Sequence, residues 1–322
     1  MTKVDVKDRK ILYELDTNSR QSIPQISKKA GLHKNAVRYR IKRLEKHGII
    51  TDYYTAIDSY KLGYMVLKLY TKYQNATSSI RREIIDYFTL NKTTWLVSSI
   101  KGEFDLDVIF WVKDLNQFYS FWEKTLNIYG KYFEDPTFLF QIQAISFRPS
   151  YLIDKNKKPQ NEKYEITGGG PITPIDELDY QLLQIIASQA RLSLINIIKE
   201  LKVSTNIARY RLKKLTKLDI IQGYRTNIDI SKLGYRTIKA DLFLNKYGER
   251  NKIINYLKCN PYILCIMTSF GYSHLELELN VENMIHFYHI MQDLIDKFPD
   301  VIQNYRYFSI LENHKLCWIP EE

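Results

Sequence analysis

Cysteine is scarce in this chain of 322 residues: Cys259, Cys265 and Cys317, all in the last quarter and none in a Cys-x-x-Cys pair. An odd, sparse set excludes a disulfide framework and suits buried thiols in a reducing compartment. Zinc-ligand spacing is missing too. His286 and His289 lie three apart on an expected helix, with no Cys or acidic group at the right spacing beside them, so no metal site is expected. No apolar run approaches the roughly 20 residues that a membrane-spanning helix needs. The opening "MTKVDVKDRK" has charges but no apolar stretch of the kind a signal peptide carries. The expectation is a soluble, cytoplasmic protein with no membrane partner. There is no Gly-rich phosphate loop, no nucleophile–base pair and no carboxylate pair, so neither catalysis nor a bound cofactor is expected.

What is present is enough apolar material for packed cores, 45% of residues, and a net charge of +11. The length favours two or more domains over one core. The charge is not spread evenly. Residues 1–60 and 176–235 together hold about +10 of the +11 and the remainder is close to neutral. A charge serving solubility alone would be distributed over the surface; a localised one marks a face for a polyanion.

The two basic segments are copies. Shifted by 171 residues, Asp8–Tyr64 aligns with Asp179–Tyr235 without a gap, and about 23 of 57 pairs are identical. The identities include Arg20/Arg191, Ser22/Ser193, Ile26/Ile197, the Arg-Tyr-Arg triplet of "NAVRYRIKRLEKHGII" and "NIARYRLKKLTKLDII", and "KLGY" at 61–64 and 232–235. Further on, a shift of about 169 keeps the pattern: Gly102 falls on Gly271, Asp105 on His274 and Asp107 on Glu276. Between the copies, residues 151–174 are polar, with three consecutive glycines and Pro159, Pro171 and Pro174, and read as a flexible linker.

Each copy opens with a three-helix pattern. Asp5-x-x-Asp8 caps a helix with Ile11, Leu12 and Leu15 inward, and Ser22 before Pro24 opens a short second helix ended by Gly31. A third helix spans about Lys34–Lys46, stops at Gly48, and leads into "TDYYTAID", an exposed strand pair or wing. Copy two repeats this from Asp176, with Ser204 as the third-helix cap and Asp219 in place of Gly48. This is a winged helix-turn-helix pattern, expected over residues 1–58 and 175–229. At about 100° per residue, Val37, Ile41 and Leu44 form the buried stripe, with Asn35, Arg38, Tyr39, Lys42 and Lys46 outward or on its flanks. The outward set in copy two is Asn206, Arg209, Tyr210, Lys213 and Lys217. A merely solvated face needs no particular residues and drifts after duplication; this one kept them. Asn pairs with adenine and Arg with guanine in the major groove, Tyr meets a thymine methyl, and the lysines anchor phosphates. Arg40 and Arg211, near the buried edge, brace the helix instead, and His33 and His47 are surface residues. The expected partner is double-stranded DNA.

The second block of each copy, over 64–150 and 235–320, reads β-α-β-β-α-β, the split βαβ plan of a ferredoxin-like sandwich. The fold class expected is α+β: two copies of a winged helix-turn-helix plus a ferredoxin-like βαββαβ domain. With "RYRIKRLEKHGII", the later "KLGY" and the turn "KGEFDLDV" in view, the chain resembles the Lrp/AsnC family of feast/famine transcription regulators over essentially its whole length, twice. The resemblance implies that the C-terminal domains pair with each other. It also implies that an amino-acid-like effector binds near the turns at Gly102 and Asp105, and at Gly271 and His274. The turns depart from the family's Gly-x-Tyr-Asp pattern, with Phe104 for Tyr in the first and His274 for Asp in the second.

Tethering two recognition helices raises the local concentration of the second and so increases avidity about 10²- to 10⁴-fold when the linker spans the sites. The fused chain is therefore expected to act as an intramolecular pseudo-dimer, open to further self-association. Two other readings stand beside it. The chain also looks like the fused siroheme decarboxylases, which share this plan and hold a carboxylate-rich tetrapyrrole with His and Arg. Their DNA-binding region is shortened, whereas here both third helices are full length and basic. The His-Asn-Tyr segment of those enzymes is absent from "TTWLVSSIKG" and "PYILCIMTSF". The third reading is an architectural DNA-binding protein without target sites.

Overall fold

A computed structural model of the chain describes residues 4–156, 158–159 and 162–320. Helices α1 (Val6–Thr17), α2 (Ile23–Ala30) and α3 (Lys34–Lys46) form the first helical unit, followed by strand β1 (Ile50–Ile57). The Asp5/Asp8 capping box and the Ser22 cap fix the first two helix starts, and Gly31 turns the chain in the left-handed conformation between α2 and α3. Next come β2 (Met65–Tyr73), α4 (Ser78–Leu90), β3 (Thr94–Gly102), β4 (Leu106–Val112), α5 (Leu115–Tyr129) and β5 (Phe133–Ser146). A short strand, β6 (Glu165–Gly168), precedes the second copy. That copy comprises α6 (Glu177–Ala187), α7 (Leu194–Leu201), α8 (Thr205–Lys217), β7 (Ile221–Ile228), β8 (Arg236–Leu244), α9 (Arg250–Leu257), β9 (Ile263–Phe270), β10 (Leu275–Val281), α10 (Met284–Lys297) and β11 (Ile302–Leu316). The α+β plan in two copies holds. None of the described helices is long and apolar enough to cross a membrane.

Three strand pairings join the copies. β1 pairs antiparallel with β7, from Ile50 opposite Ile228 to Ile57 opposite Ile221. The wing expected to fold back on itself is thus replaced by a two-stranded ribbon shared between copies. The physical reason is local: each strand runs into a 3-10 turn (Ser59–Leu62 and Ile230–Leu233) that leads away to β2 or β8, so neither has a hairpin partner in its own copy. Within the ferredoxin-like units the strand orders are β5-β2-β4-β3 and β11-β8-β10-β9. The long last strands then cross over. β5 leaves β2 to pair with β9, and β11 leaves β8 to pair with β3. All these pairings are antiparallel, so the eight strands close into a ring, with β6 added on β5.

Outside the ring, Leu67, Leu69, Val108 and Phe110 pack under α4 and α5. The equivalent layer of copy two, with α9 and α10, shares a continuous core with the helical unit of copy one. Inside the ring lie charged pairs. Lys68 donates to Glu276 at 2.7 Å, and its counterpart Lys239 donates to Asp107 at 2.7 Å, each pair crossing from one copy to the other. Buried ions are tolerated only when paired in this way.

The linker is less free than its composition implies along its described part. Tyr151 and Leu152 are buried, Tyr151 accepts a hydrogen bond from Asn280, β6 is paired with β5, and Thr173 N–H donates to the Lys61 carbonyl. Glu165 of β6 is buried against Arg148 and Arg225. The polar composition reads as a loop because these contacts are all to residues distant in sequence. Residues 157, 160 and 161 of the segment, and residues 1–3 and 321–322 at the ends, lie outside the described part.

Candidate nucleic-acid interface

In α3, Val37, Ile41 and Leu44 are buried against α1 and α2, as the helical periodicity requires. Asp8 is fully buried and accepts from Arg40 at 2.8 Å and Arg43 at 2.5 Å, while Asp5 takes a further bond from Arg40. Copy two reproduces this with Asp179, Arg211 and Lys214, plus Asp176 on Arg211. Arg40 and Arg211 are held well into the ionised form, chiefly by the hydrogen bonds to Asp5 and Asp176 respectively. The inner cations of each third helix are therefore neutralised by the first helix, which fixes the roll of the third about its axis. His33 caps α3 by accepting from Asn35 N–H, and Ser204 caps α8 through Ile207 N–H.

The outer face remains free. Asn35, Arg38, Tyr39, Lys42 and Lys46 are all exposed, as are Asn206, Arg209, Tyr210, Lys213 and Lys217. Tyr39 and Tyr210 are exposed to the same degree, 67%, which is unusual for so large a ring and is matched between copies. Among the described residues no carboxylate pairs with Arg38, Lys42, Lys46, Arg209, Lys213 or Lys217. The ten residues form two cationic, aromatic-bearing helix faces, one per copy.

Three sets of residues whose roles were not read from sequence fasten these helices together. The Lys of each "KLGY" crosses to the other copy: Lys61 donates to the Leu218 carbonyl at the end of α8, and Lys232 donates to the carbonyls of His47 and Gly48 at the end of α3. Gly48, at φ +62°, leaves room for that ammonium, since a Cβ there would lie 2.8 Å from Lys232 Nζ. Each lysine satisfies carbonyls that a helix end leaves open and opposes the negative end of its dipole. Arg20 lies over the Tyr224 ring at 4.2 Å and Arg191 over the Tyr53 ring at 4.9 Å, again each across copies. A third junction is unlike in the two copies. Arg225 of β7 pairs with Asp16 of α1 at 2.5 Å, whereas its counterpart Tyr54 stacks on Trp318 at 3.5 Å, and the equivalent of Asp16 is Ala187. The retention of "KLGY" and of the arginines at one offset was the signal available in the sequence; the partner was not.

The four turn residues are engaged structurally. A Cβ on Gly102, at φ +147°, would lie 2.6 Å from the Tyr307 carbonyl of β11, and one on Gly271, at φ +111°, would lie 2.9 Å from the Phe138 carbonyl of β5. Both glycines thus permit the close strand crossing that closes the ring. Asp105 accepts from Tyr73 N–H at 3.0 Å, and His274, through Nδ1, accepts from Leu244 N–H at 2.8 Å. Tyr73 and Leu244 are equivalent positions, so the exchange of Asp for His keeps an acceptor in place. This leaves Nε2 of His274 as the protonated nitrogen.

Two exposed cationic third helices, each set on a capped helical pair, define a helix-turn-helix DNA-binding protein. The family model for winged helix-turn-helix DNA-binding domains matches residues 4–51. An uncharacterized HTH-type transcriptional regulator of Pyrococcus horikoshii is 35% identical over 106 residues, which is 32% of this chain and 69% of that protein. The HTH-type transcriptional regulator Ptr1 of Methanocaldococcus jannaschii is 32% identical over 123 residues, 37% of this chain and 78% of its own length. LrpA of Pyrococcus horikoshii is 39% identical over 66 residues, covering 20% of this chain and 47% of that regulator. The chain belongs to the Lrp/AsnC-type HTH transcriptional regulators. In overall fold it is also similar to the crystal structure of the siroheme decarboxylase NirDL, with a TM-score of 0.64 over 98% of this chain and 94% of that one, at 11% identity. That likeness concerns the two-copy architecture.

Proposed function

We propose that the chain is a sequence-specific regulator that binds double-stranded DNA as a covalent pseudo-dimer. In this reading α3 and α8 enter the major groove at two similar half-sites, one helical turn or a multiple apart. The observation that carries it is the identity and equal exposure of the two outward faces, held by reciprocal contacts in which each copy secures the other's recognition helix. Arg38 and Arg209, with Asn35 and Asn206, read base edges; Lys42, Lys46, Lys213 and Lys217 hold phosphates. Selection from randomised duplexes, followed by footprinting, tests this: an imperfect inverted repeat is expected. Unrelated half-sites, or no enriched motif as for an architectural protein, would refute it.

An amino-acid-like effector fits the reading as a ligand of the turns at Gly102–Asp105 and Gly271–His274, which lie on the seam between copies. It would act by displacing the Asp105–Tyr73 and His274–Leu244 contacts and so altering how the halves meet. A thermal-shift screen of amino acids, with Asp105→Ala and His274→Ala as controls, tests it. The whole-chain likeness to NirDL supports a second reading, a tetrapyrrole-binding enzyme. At 11% identity it carries the fold and not the activity, and absorbance after incubation with siroheme distinguishes the two.

A further inference from the structure

The two recognition helices are flanked by unlike clefts. Beside α8, a cleft of about 400 Å³ is lined by Leu212, Lys213, Thr216 and Lys217 of that helix, Tyr224 of β7, and Arg20 from the other copy. Arg20 donates through Nε to the Ala190 carbonyl and stacks on Tyr224, and its Nη2 is buried without a hydrogen-bond partner, as is Nη1 of its counterpart Arg191. Among the described residues no carboxylate pairs with Arg20, Lys213 or Lys217, so three cations share the cleft and no anion offsets them. Burial lowers the Arg20 pKa, as expected for a guanidinium that has lost water and gained no counter-charge.

The equivalent place beside α3 carries acid. Glu45 stands where copy two has Thr216, and Asp52 where it has Gly223. Glu45 accepts from Tyr53 OH at 2.7 Å, the tyrosine that Arg191 covers, and Asp52 accepts from Asn227 at 3.0 Å. The two faces read alike in their outward residues but differ in charge at their rims.

We propose that the cleft formed by Arg20, Lys213, Lys217 and Tyr224 is a phosphate-binding site that seats one backbone phosphodiester of the bound duplex beside the α8 half-site, more firmly than the acid-bearing equivalent beside α3. Arg20 adds the charge of its guanidinium to that of the lysines, so copy one contributes to the phosphate site of the half-site read by copy two. The proposal rests on the reading that α8 binds DNA. It adds a polarity: contact with the backbone is stronger at one half of an otherwise near-symmetric site.

The test uses the full chain and its selected duplex. Thr216→Glu installs the acid of copy one on an exposed position, where Tyr224 offers it the same hydroxyl that Tyr53 offers Glu45. Affinity is expected to fall about 3- to 10-fold, and the slope of log K against log salt to flatten by about 0.9, the share of one phosphate. Glu45→Thr should raise affinity. In duplexes with single neutral methylphosphonates, one position at the α8 half-site should lose affinity in the wild type but not in Thr216→Glu. Arg20→Lys should retain the fold, checked by its melting temperature, and show the same interference loss in weaker form. If Lys213→Ala weakens binding while Thr216→Glu leaves slope and interference unchanged, the cleft assignment falls and the DNA reading stands. If Lys213→Ala and Arg209→Ala also change nothing, the DNA reading itself falls. Inorganic phosphate should compete only at millimolar levels and only in the wild type; micromolar binding to the free protein would make this a free-anion site and overturn the assignment.

Discussion

At the residue scale, burial and exposure separate what an arginine or lysine does here. Arg40, Arg43, Arg211 and Lys214 are held by Asp8 and Asp179, while Arg38 and Arg209 stand free five positions or fewer away. Replacing Arg38 and Arg209 together by Ala is expected to relax base preference, at about 1–3 kcal/mol of discrimination per site, with little loss of nonspecific affinity. Replacing Lys42 and Lys213 by Ala should weaken all duplexes alike and flatten the salt slope by about 2. Competition binding at several salt concentrations separates the two outcomes. Within the ring the decisive residue is Asp241, both of whose carboxylate oxygens are buried without partners. Burial, then the charge of Glu276, raises its pKa well above the usual range; burial also opposes ionisation of Glu276, but Lys68 and the Ser269 hydroxyl outweigh it and keep that carboxylate below its ordinary value. A carboxyl whose folded pKa is raised contributes stability that is complete below about pH 4 and is lost as pH climbs toward the folded value. Asp241→Asn removes that loss. It should stabilise the protein at pH 7, the gain vanishing near pH 4, as denaturant titrations across pH would report.

At the scale of elements, what was legible depended on how local the cause was. The third helices, their buried stripes and their caps follow from residues within a few positions of one another, and the extent Lys34–Lys46 was readable from periodicity and Gly48. Strand β2, "MVLKLYTKY", lies where its alternation placed a strand, although both of its faces are buried from Val66 to Thr71. The failures share one origin. β11 extends to Leu316 through the polar stretch "ENHKL" because β3 of the other copy pairs with it, and β1 has no hairpin because its partner lies 170 residues away. Composition carries no trace of a partner so distant. The repeated "KLGY" was visible as an identity but not as a cap, since Lys61 and Lys232 act on carbonyls of the opposite copy. Lys61→Ala with Lys232→Ala should fray the last turns of α8 and α3, at about 0.5–1.5 kcal/mol each. Faster amide exchange at residues 44–48 and 215–219, with weaker DNA binding despite untouched outward faces, is the expected signature. Unchanged exchange would leave the motif without this role.

At the scale of the whole molecule, the copies are complementary and not interchangeable. A dimer of two first copies could still form a ring, because Lys68 would meet Asp107 where it now meets Glu276. It would, however, bury Asp16 opposite Tyr54, with no Arg225 to neutralise it. A dimer of two second copies would leave Arg225 facing Ala187, without the Asp16 carboxylate and with the longer contact to Glu165 alone. Breaking such a buried pair costs about 3–5 kcal/mol, and each like dimer contains the unmatched junction twice. Residues 1–156 and 162–322 produced as separate chains should therefore assemble with each other in preference to themselves, with native mass spectrometry reporting mostly the unlike pair. Arg225→Tyr in the second chain, which recreates the residue of copy one but leaves Asp16 unpaired, should erase that preference. Were the halves instead to pair at random, Asp16 and Arg225 would be ordinary packing, and fusion would be what holds this order of copies together. The predicted outcome assigns the order to chemistry at one junction: the outward faces of α3 and α8 stayed alike, while Asp16 and Arg225, which meet across the copies, have Ala187 and Tyr54 as their unlike equivalents.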